Sequence, residues 1–265
     1  MLDSFFESIA WPMVPPPAYG AFHILFTVIG FALCGFAAWK LRNVSDKVAG
    51  RILFFCGLVL TVSEVFKQFF YYFVMMDNRY SWGDFPFQLC SIPMYMCLIV
   101  PWLKPGKLQR GMYSFMVLYN LLGGAISFTE PSGLLHEYWF FALHACIWHM
   151  MLVFIGLFVC LSKRGGNQKS DYVGATWTFL VLCGIAFVLN ALVQLGLGEH
   201  MNMFFVGPGN SSIVVFKQFS EWFGWYVNTP IYIGAVCLGA YIVFTLIYWA
   251  QNKTLPFGKQ KAAAK

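Results

Sequence analysis

The chain of 265 residues is 59% hydrophobic, 20% aromatic and only 11% charged, whereas a soluble domain carries about 25% charged residues. That balance excludes a water-soluble globular protein. It predicts a single polytopic membrane domain over 1–265, with no room for a separate soluble one. The net charge of +6 is expected to meet anionic headgroups and not nucleic acid, because no basic stripe with interleaved exposed aromatics lies outside the apolar runs.

Residues 1–19 open with Asp3 and Glu7 and have no basic n-region, so a cleavable signal peptide is not expected. Trp11, Pro12 and Pro15-Pro16-Pro17 predict a short interfacial N-terminal segment instead. Seven apolar runs follow, roughly 20–40, 52–74, 85–103, 111–128, 138–161, 173–196 and 230–250. Each approaches the ~20 residues that cross a ~30 Å hydrocarbon core as a helix. Fourteen of the seventeen basic residues fall after alternate runs: Lys40, Arg42, Lys47 and Arg51; Lys104, Lys107 and Arg110; Lys163, Arg164 and Lys169; and Lys253, Lys259, Lys261 and Lys265. Only Arg79 and Lys217 lie in loops on the other side, and Lys67 lies inside a run. The positive-inside rule then predicts an all-α membrane protein: a seven-transmembrane helical bundle, N-terminus outside and C-terminus cytoplasmic. The expected location is a cell membrane, crossed several times, and more specifically a bacterial plasma membrane.

All eight cysteines fall within the predicted spans and none form a Cys-x-x-Cys pair. Neither a disulfide framework nor a zinc ribbon is expected. No metal site and no cofactor are predicted: His144 and His149 are five residues apart, about 140° around a helix, and cannot easily share a ligand. The last run contains no lysine, so the Schiff base of a microbial rhodopsin has no counterpart, and no Gly-rich phosphate loop is present.

Ionisable groups inside a bilayer usually face a protein or water-filled interior. At ~1.5 Å per residue, Glu64 lies roughly 15 Å and Lys67 roughly 10 Å below the outer boundary, Asn120 roughly 13 Å and His144 roughly 9 Å. Asn190 comes to a similar depth. Glu64 and Lys67 are spaced to pair on one helix face. Their common depth predicts a shared cavity in the outer half, although each alone is also what helix-stitching polar groups look like. The segment 197–229, with Gly207-Pro208-Gly209-Asn210 and an aromatic stretch from Phe216 to Tyr226, is too long for a plain connection. It is expected to be a long outer or re-entrant segment that could cover such a cavity.

The first chemistry-bearing stretch is Asp84-Phe85-Pro86-Phe87-Gln88-Leu89-Cys90-Ser91. Asp84 reads as a helix N-cap and Pro86 as a first-turn residue, which would put Cys90 near a helix N-terminus, where the dipole favours a thiolate. Pro93 reads as a kink beside it. A buried small hydrophobe is the bland alternative. The second stretch is Phe140-Phe141-Ala142-Leu143-His144-Ala145-Cys146, in which His144 could act as a general base or simply bond across helices.

Phe85-Pro86-Phe87-Gln88-Leu89-Cys90 resembles the Pro-Leu-(His/Gln)-Leu-Cys signature of the YwaF-type bacterial integral membrane proteins. Gly123-Gly124-Ala125 with Pro131, Phe140-Phe141 with His144, and Asn190 with Asn202-Met203-Phe204-Phe205 and Pro208 resemble that family's later segments, in the same order. Gln88 stands where many members carry histidine, and Met203 where tyrosine is usual. The family is similar to eukaryotic multi-spanning phospholipid acyltransferases that use a membrane cysteine and histidine, and more distantly to androgen-induced membrane hydrolases that use a threonine and a histidine. The resemblance implies Cys90 as nucleophile and His144 as base.

The reading that follows is a lipid acyltransferase or transacylase acting in the outer half of the bilayer, with membrane lipids as substrates. Glu64, Lys67, Gln88, Asn120, Asn190 and Asn202 are the candidate substrate-binding residues. The alternative is a transporter or channel for a small polar or lipidic solute that uses Glu64 and Lys67 as a coupling pair.

Overall fold

The computed structural model describes residues 1–256; Lys259, Lys261 and Lys265, three of the expected C-terminal anchors, lie outside the described residues. Ten α-helices are described: α1 Leu2–Ile9, α2 Ala21–Leu41, α3 Asp46–Phe70, α4 Ile92–Ile99, α5 Lys107–Phe115, α6 Leu121–Ile126, α7 Trp139–Leu161, α8 Lys169–Leu197, α9 Val214–Phe223 and α10 Trp225–Asn252. Five of these are long and apolar enough to cross a bilayer: α2, α3 with its π-helical extension to Met75, α7, α8 and α10. They coincide with the first, second, fifth, sixth and seventh apolar runs.

The third and fourth runs take a different form. In the third, helix begins only at Ile92, and with its 3-10 turn it ends at Trp102, roughly 16 Å of helix. The expected caps are displaced. Asp84 closes a 3-10 turn and its carboxylate accepts from Ser81 Oγ at 2.6 Å. Phe85 is extended, with ψ 133°, as a residue before proline prefers. Ser91 precedes the first helical residue, and Pro93 sits in the first turn, where its missing N–H costs nothing. Cys90 therefore occupies a turn ahead of α4, not a helical position, and Pro93 starts a helix instead of bending one. In the fourth run, α5, a π turn Met116–Asn120 and α6 follow without a break. The π turn inserts an extra residue and separates the two α-helical pieces.

α7 is the central helix. In its most apolar window 61% of residues are buried, against 17% for α2 and for α10, which turn most of their surface to lipid. α2 packs along α7, α3 along α4 and α7, α5 along α8, and α9 against α10. Gly57 permits the close approach of α4, since a Cβ there would lie 3.0 Å from the Cys97 side chain. The N-terminal segment is tied to the start of α7 through Met13 N–H to Glu137 O (2.7 Å) and Trp139 N–H to Trp11 O (3.2 Å). Phe6 of α1 is buried against Phe66, Phe69 and Phe73.

At the opposite end, two of the expected basic anchors are internal clamps. Arg110 holds Asp171 with a two-pronged ion pair at 2.6 and 2.8 Å and also bonds Asn167. Arg164 bonds Asp46 and the Val44 carbonyl. These two basic residues thus fasten α5 to α8, and the loop after α7 to the start of α3.

The segment after α8 turns back into the bundle. Met201, Met203, Phe204 and Val206 are at most 1% exposed. Phe204 and Phe205 both have φ +56°, a left-handed conformation that costs a bulky side chain of order 1–3 kcal/mol. The segment holds that shape because side-chain amides, those of Gln88, Asn190, Gln194 and Asn202, grip its main chain.

Candidate functional site

Three elements converge near the C-terminal end of α3. α3 and α7 run antiparallel in a register marked by Ser63 Oγ to His144 Nδ1 (2.7 Å), the Phe66–Phe140 rings (4.8 Å) and the Phe70–Tyr138 rings (5.6 Å). α3 and α4 are also antiparallel, with Gly50 against Pro101 and Gly57 against Cys97. Following that register toward the C-terminal end of α3 brings the turn that holds Cys90 level with Ser63 and Glu64. Trp148, one turn after His144 on α7, donates its indole N–H to the Cys90 carbonyl at 3.1 Å, and its ring lies 5.5 Å from the His144 ring. One tryptophan thus links the cysteine turn to the helix of the histidine.

Glu64 and Lys67 pair as their spacing predicts, at 2.7 Å, with side chains 5% and 16% exposed. Gln68 donates to Glu64 Oε1 (2.7 Å) and to the Asp84 carbonyl (2.6 Å), which fastens α3 to the segment leading to Cys90. Tyr95 OH donates to the Pro86 carbonyl at 2.8 Å and pins that segment from α4. The Lys67 ammonium lies within electrostatic reach of both the Cys90 thiol and the His144 ring. Lys67, Cys90 and His144 therefore share one neighbourhood.

The candidate amides do other work. Gln88 donates to the Asn202 carbonyl (3.1 Å) and accepts from Phe204 N–H (2.9 Å). Asn190 donates to the Met203 carbonyl (3.0 Å) and accepts from Met203 N–H (2.7 Å). Asn202 Oδ1 accepts from Gly207 N–H (2.9 Å). These three shape residues 201–207 and join them to the cysteine turn. Asn120 bonds the Leu152 carbonyl at 3.0 Å, eight residues along α7 from His144 and so roughly 12 Å deeper. Asn120 is not brought to Cys90 and His144. His149 bonds the Ala145 carbonyl of its own helix at 2.8 Å.

Replacing Asn190 with leucine strands the Met203 N–H and C=O in a buried site. At about 1–3 kcal/mol for each unmet group, a stability loss of about 3 kcal/mol is expected. It should appear as a lower unfolding midpoint in detergent and as new protease cuts between residues 198 and 213. An unchanged midpoint would show that the amide is dispensable.

Ser63 and Trp148 were not among the sequence candidates. Ser63 has one readable signal, a hydroxyl immediately before the intramembrane Glu64. Trp148 has none, because an aromatic in an apolar run carries no mark of its hydrogen bond.

A protein-family model described as the TMEM164 family matches residues 18–256. No curated protein and no solved structure matches the chain. With nearly all described residues inside that match, and five helices long and apolar enough to cross a bilayer, the chain is a multi-pass membrane protein that belongs to the TMEM164 family.

Proposed function

We propose that this protein transfers fatty acyl groups between membrane lipids through a cysteine thioester, at a site in the outer half of a bacterial plasma membrane. In this reading the chain crosses seven times with its N-terminus outside. The short third crossing is completed by the non-helical residues 85–91, which line the site. The motif likeness of residues 85–90 and 140–144 to Cys/His acyltransferases supports the reaction class.

The observation that carries the reading is the 2.7 Å bond from Ser63 Oγ to His144 Nδ1, level with the Cys90 turn. When Nδ1–H donates to Ser63, the lone pair sits on Nε2, the tautomer a general base requires. His144 Nε2 takes the Cys90 proton. The thiolate bonds to the ester carbonyl carbon, the carbon–oxygen bond to glycerol breaks, and the imidazolium returns its proton to the leaving alkoxide. The products are a lysolipid and an S-acyl cysteine. An acceptor hydroxyl then gives its proton to His144 and attacks the thioester, and the departing thiolate recovers the proton; water as acceptor would make the enzyme a hydrolase. The Ile92 N–H, at the first residue of α4, is the oxyanion donor in this reading, since Pro93 has no N–H, the Ser91 and Met94 N–H groups bond the Gln88 and Ser91 carbonyls, and the amide groups of Gln88, Asn190 and Asn202 are engaged with the main chain of 201–207. Lys67 is the group for a headgroup phosphate.

The same bond favours a second reading, in which Ser63 is the nucleophile and His144 its base. One experiment separates them: incubation of the purified protein with a chain-labelled phospholipid, followed by neutral hydroxylamine and peptide mapping. A hydroxylamine-labile label on the Cys90 peptide supports the thioester, a resistant label on the Ser63 peptide supports the ester, and no label with no lysolipid sinks both. In the thioester reading, Ser63→Ala lets His144 sample the wrong tautomer and slows transfer about tenfold to a hundredfold. Its pH–rate profile should shift, and Ser63→Thr should restore it.

A further inference from the structure

A groove of about 570 Å³ runs between α3 and α7, lined by Val48, Arg51, Ile52, Phe55, Cys56, Val59, Met151 and Phe154. On α3 the lining residues recur every three or four positions, so they form one face of the helix. Extended by one more step of four, that face reaches Ser63. On α7 the face of Met151 and Phe154, extended inversely by seven residues from Met151, reaches His144. The antiparallel register that joins Ser63 to His144 at 2.7 Å puts the groove's end at Val59 one turn from Ser63 and its end at Met151 two turns from His144.

We infer that this groove holds one acyl chain of a glycerophospholipid whose ester lies at the Ser63–His144 level, with the chain running inward toward Arg51. The inference rests on the acyl-transfer reading and names where that reaction's substrate sits. An ester drawn down to His144 leaves the headgroup region, and its chain needs a continuous apolar path from that depth. The groove's lining on α3 runs from Val59 to Val48, roughly 16 Å, and begins one turn from Ser63. Seven of its eight lining side chains are apolar or thiol, and within the hydrocarbon region a hydrocarbon chain is the natural filling. At the inner end the exposed Arg51 offers its aliphatic stem to the methyl terminus while its guanidinium reaches the surface.

The test uses the full-length protein in nanodiscs and a phosphatidylcholine bearing a diazirine midway along one chain. Irradiation at low probe occupancy should label peptides holding Phe55, Met151 or Phe154 about tenfold more than the lipid-facing stretch of α8 at Val188 and Leu192. Val59→Trp and Met151→Trp should each reduce the groove adduct about tenfold and shift transfer toward shorter chains. Equal labelling of α8 and the groove, or tryptophan variants that label like the parent, would overturn the inference. Arg51→Gln should leave the adduct unchanged; its loss would mean that a phosphate is anchored at Arg51 with the lipid inverted. Labelling does not need the nucleophile, so it should persist in Cys90→Ala. A protein that labels in the groove yet transfers no acyl chain sinks the reaction alone, and one that transfers acyl chains while ignoring Val59→Trp sinks the groove alone.

Discussion

Replacing His144 with alanine should lower acyl transfer about 10²- to 10⁴-fold, the range that a positioned general base contributes. Cys90→Ala should remove transfer altogether, since no thioester can form. Cys90→Ser should retain little, because a hydroxyl is far harder to ionise than a thiol. The three variants separate roles that a single knockout confuses. His144 stacks near Phe141 at 5.9 Å and Trp148 at 5.5 Å, so its loss also opens space. A folding control by detergent melting and gel filtration is therefore part of the measurement. The diagnostic outcome is kinetic: in His144→Ala, a Cys90 adduct still accumulates slowly under alkaline conditions, where the thiol ionises unaided. Full activity of Cys90→Ala with Ser63→Ala inactive would transfer the nucleophile to the serine.

The Glu64–Lys67 pair carries the largest expected effect on stability. Glu64→Leu leaves the Lys67 ammonium, 16% exposed, without its partner, and breaking a buried pair on one side costs about 3–5 kcal/mol. Gln68 also loses its acceptor on Glu64 while keeping the Asp84 carbonyl. The double variant Glu64→Leu with Lys67→Met should recover most of the loss, because replacing both charges with apolar groups of similar volume is often neutral. Unfolding midpoints of the parent, both single variants and the double variant form the cycle. Additive losses would mean that the two charges do not depend on each other.

The long apolar helices were legible because their signal is composition over ~20 residues, which no local detail can reverse. The third run was not, for the opposite reason. Its 19 residues, 85–103, are apolar enough for a span, but Pro86, Pro93 and Pro101 stand seven and eight residues apart, and each can begin a helix but not continue one without losing a hydrogen bond. The Glu64–Lys67 pair was legible from spacing on one helix. Ser63–His144 joins positions 81 apart in sequence, and pairing between helices is set by packing that composition does not encode. Gln88, Asn190 and Asn202 stand out in the sequence as amides among apolar residues, but their bonds to the main chain of 201–207 do not, because polar side chains in an apolar bundle serve irregular backbone as readily as ligands.

The grip of Gln88 on residues 202 and 204 has a bearing on biogenesis. The turn that carries Cys90 is fastened to a strained loop encoded more than a hundred residues later. A ribosome-bound chain that has inserted everything up to α7 holds both the thiol and the imidazole, yet lacks the partner that sets the thiol's bearing. That turn therefore stays unfastened in the nascent protein until the final third of the chain, with residues 202 and 204, has been made.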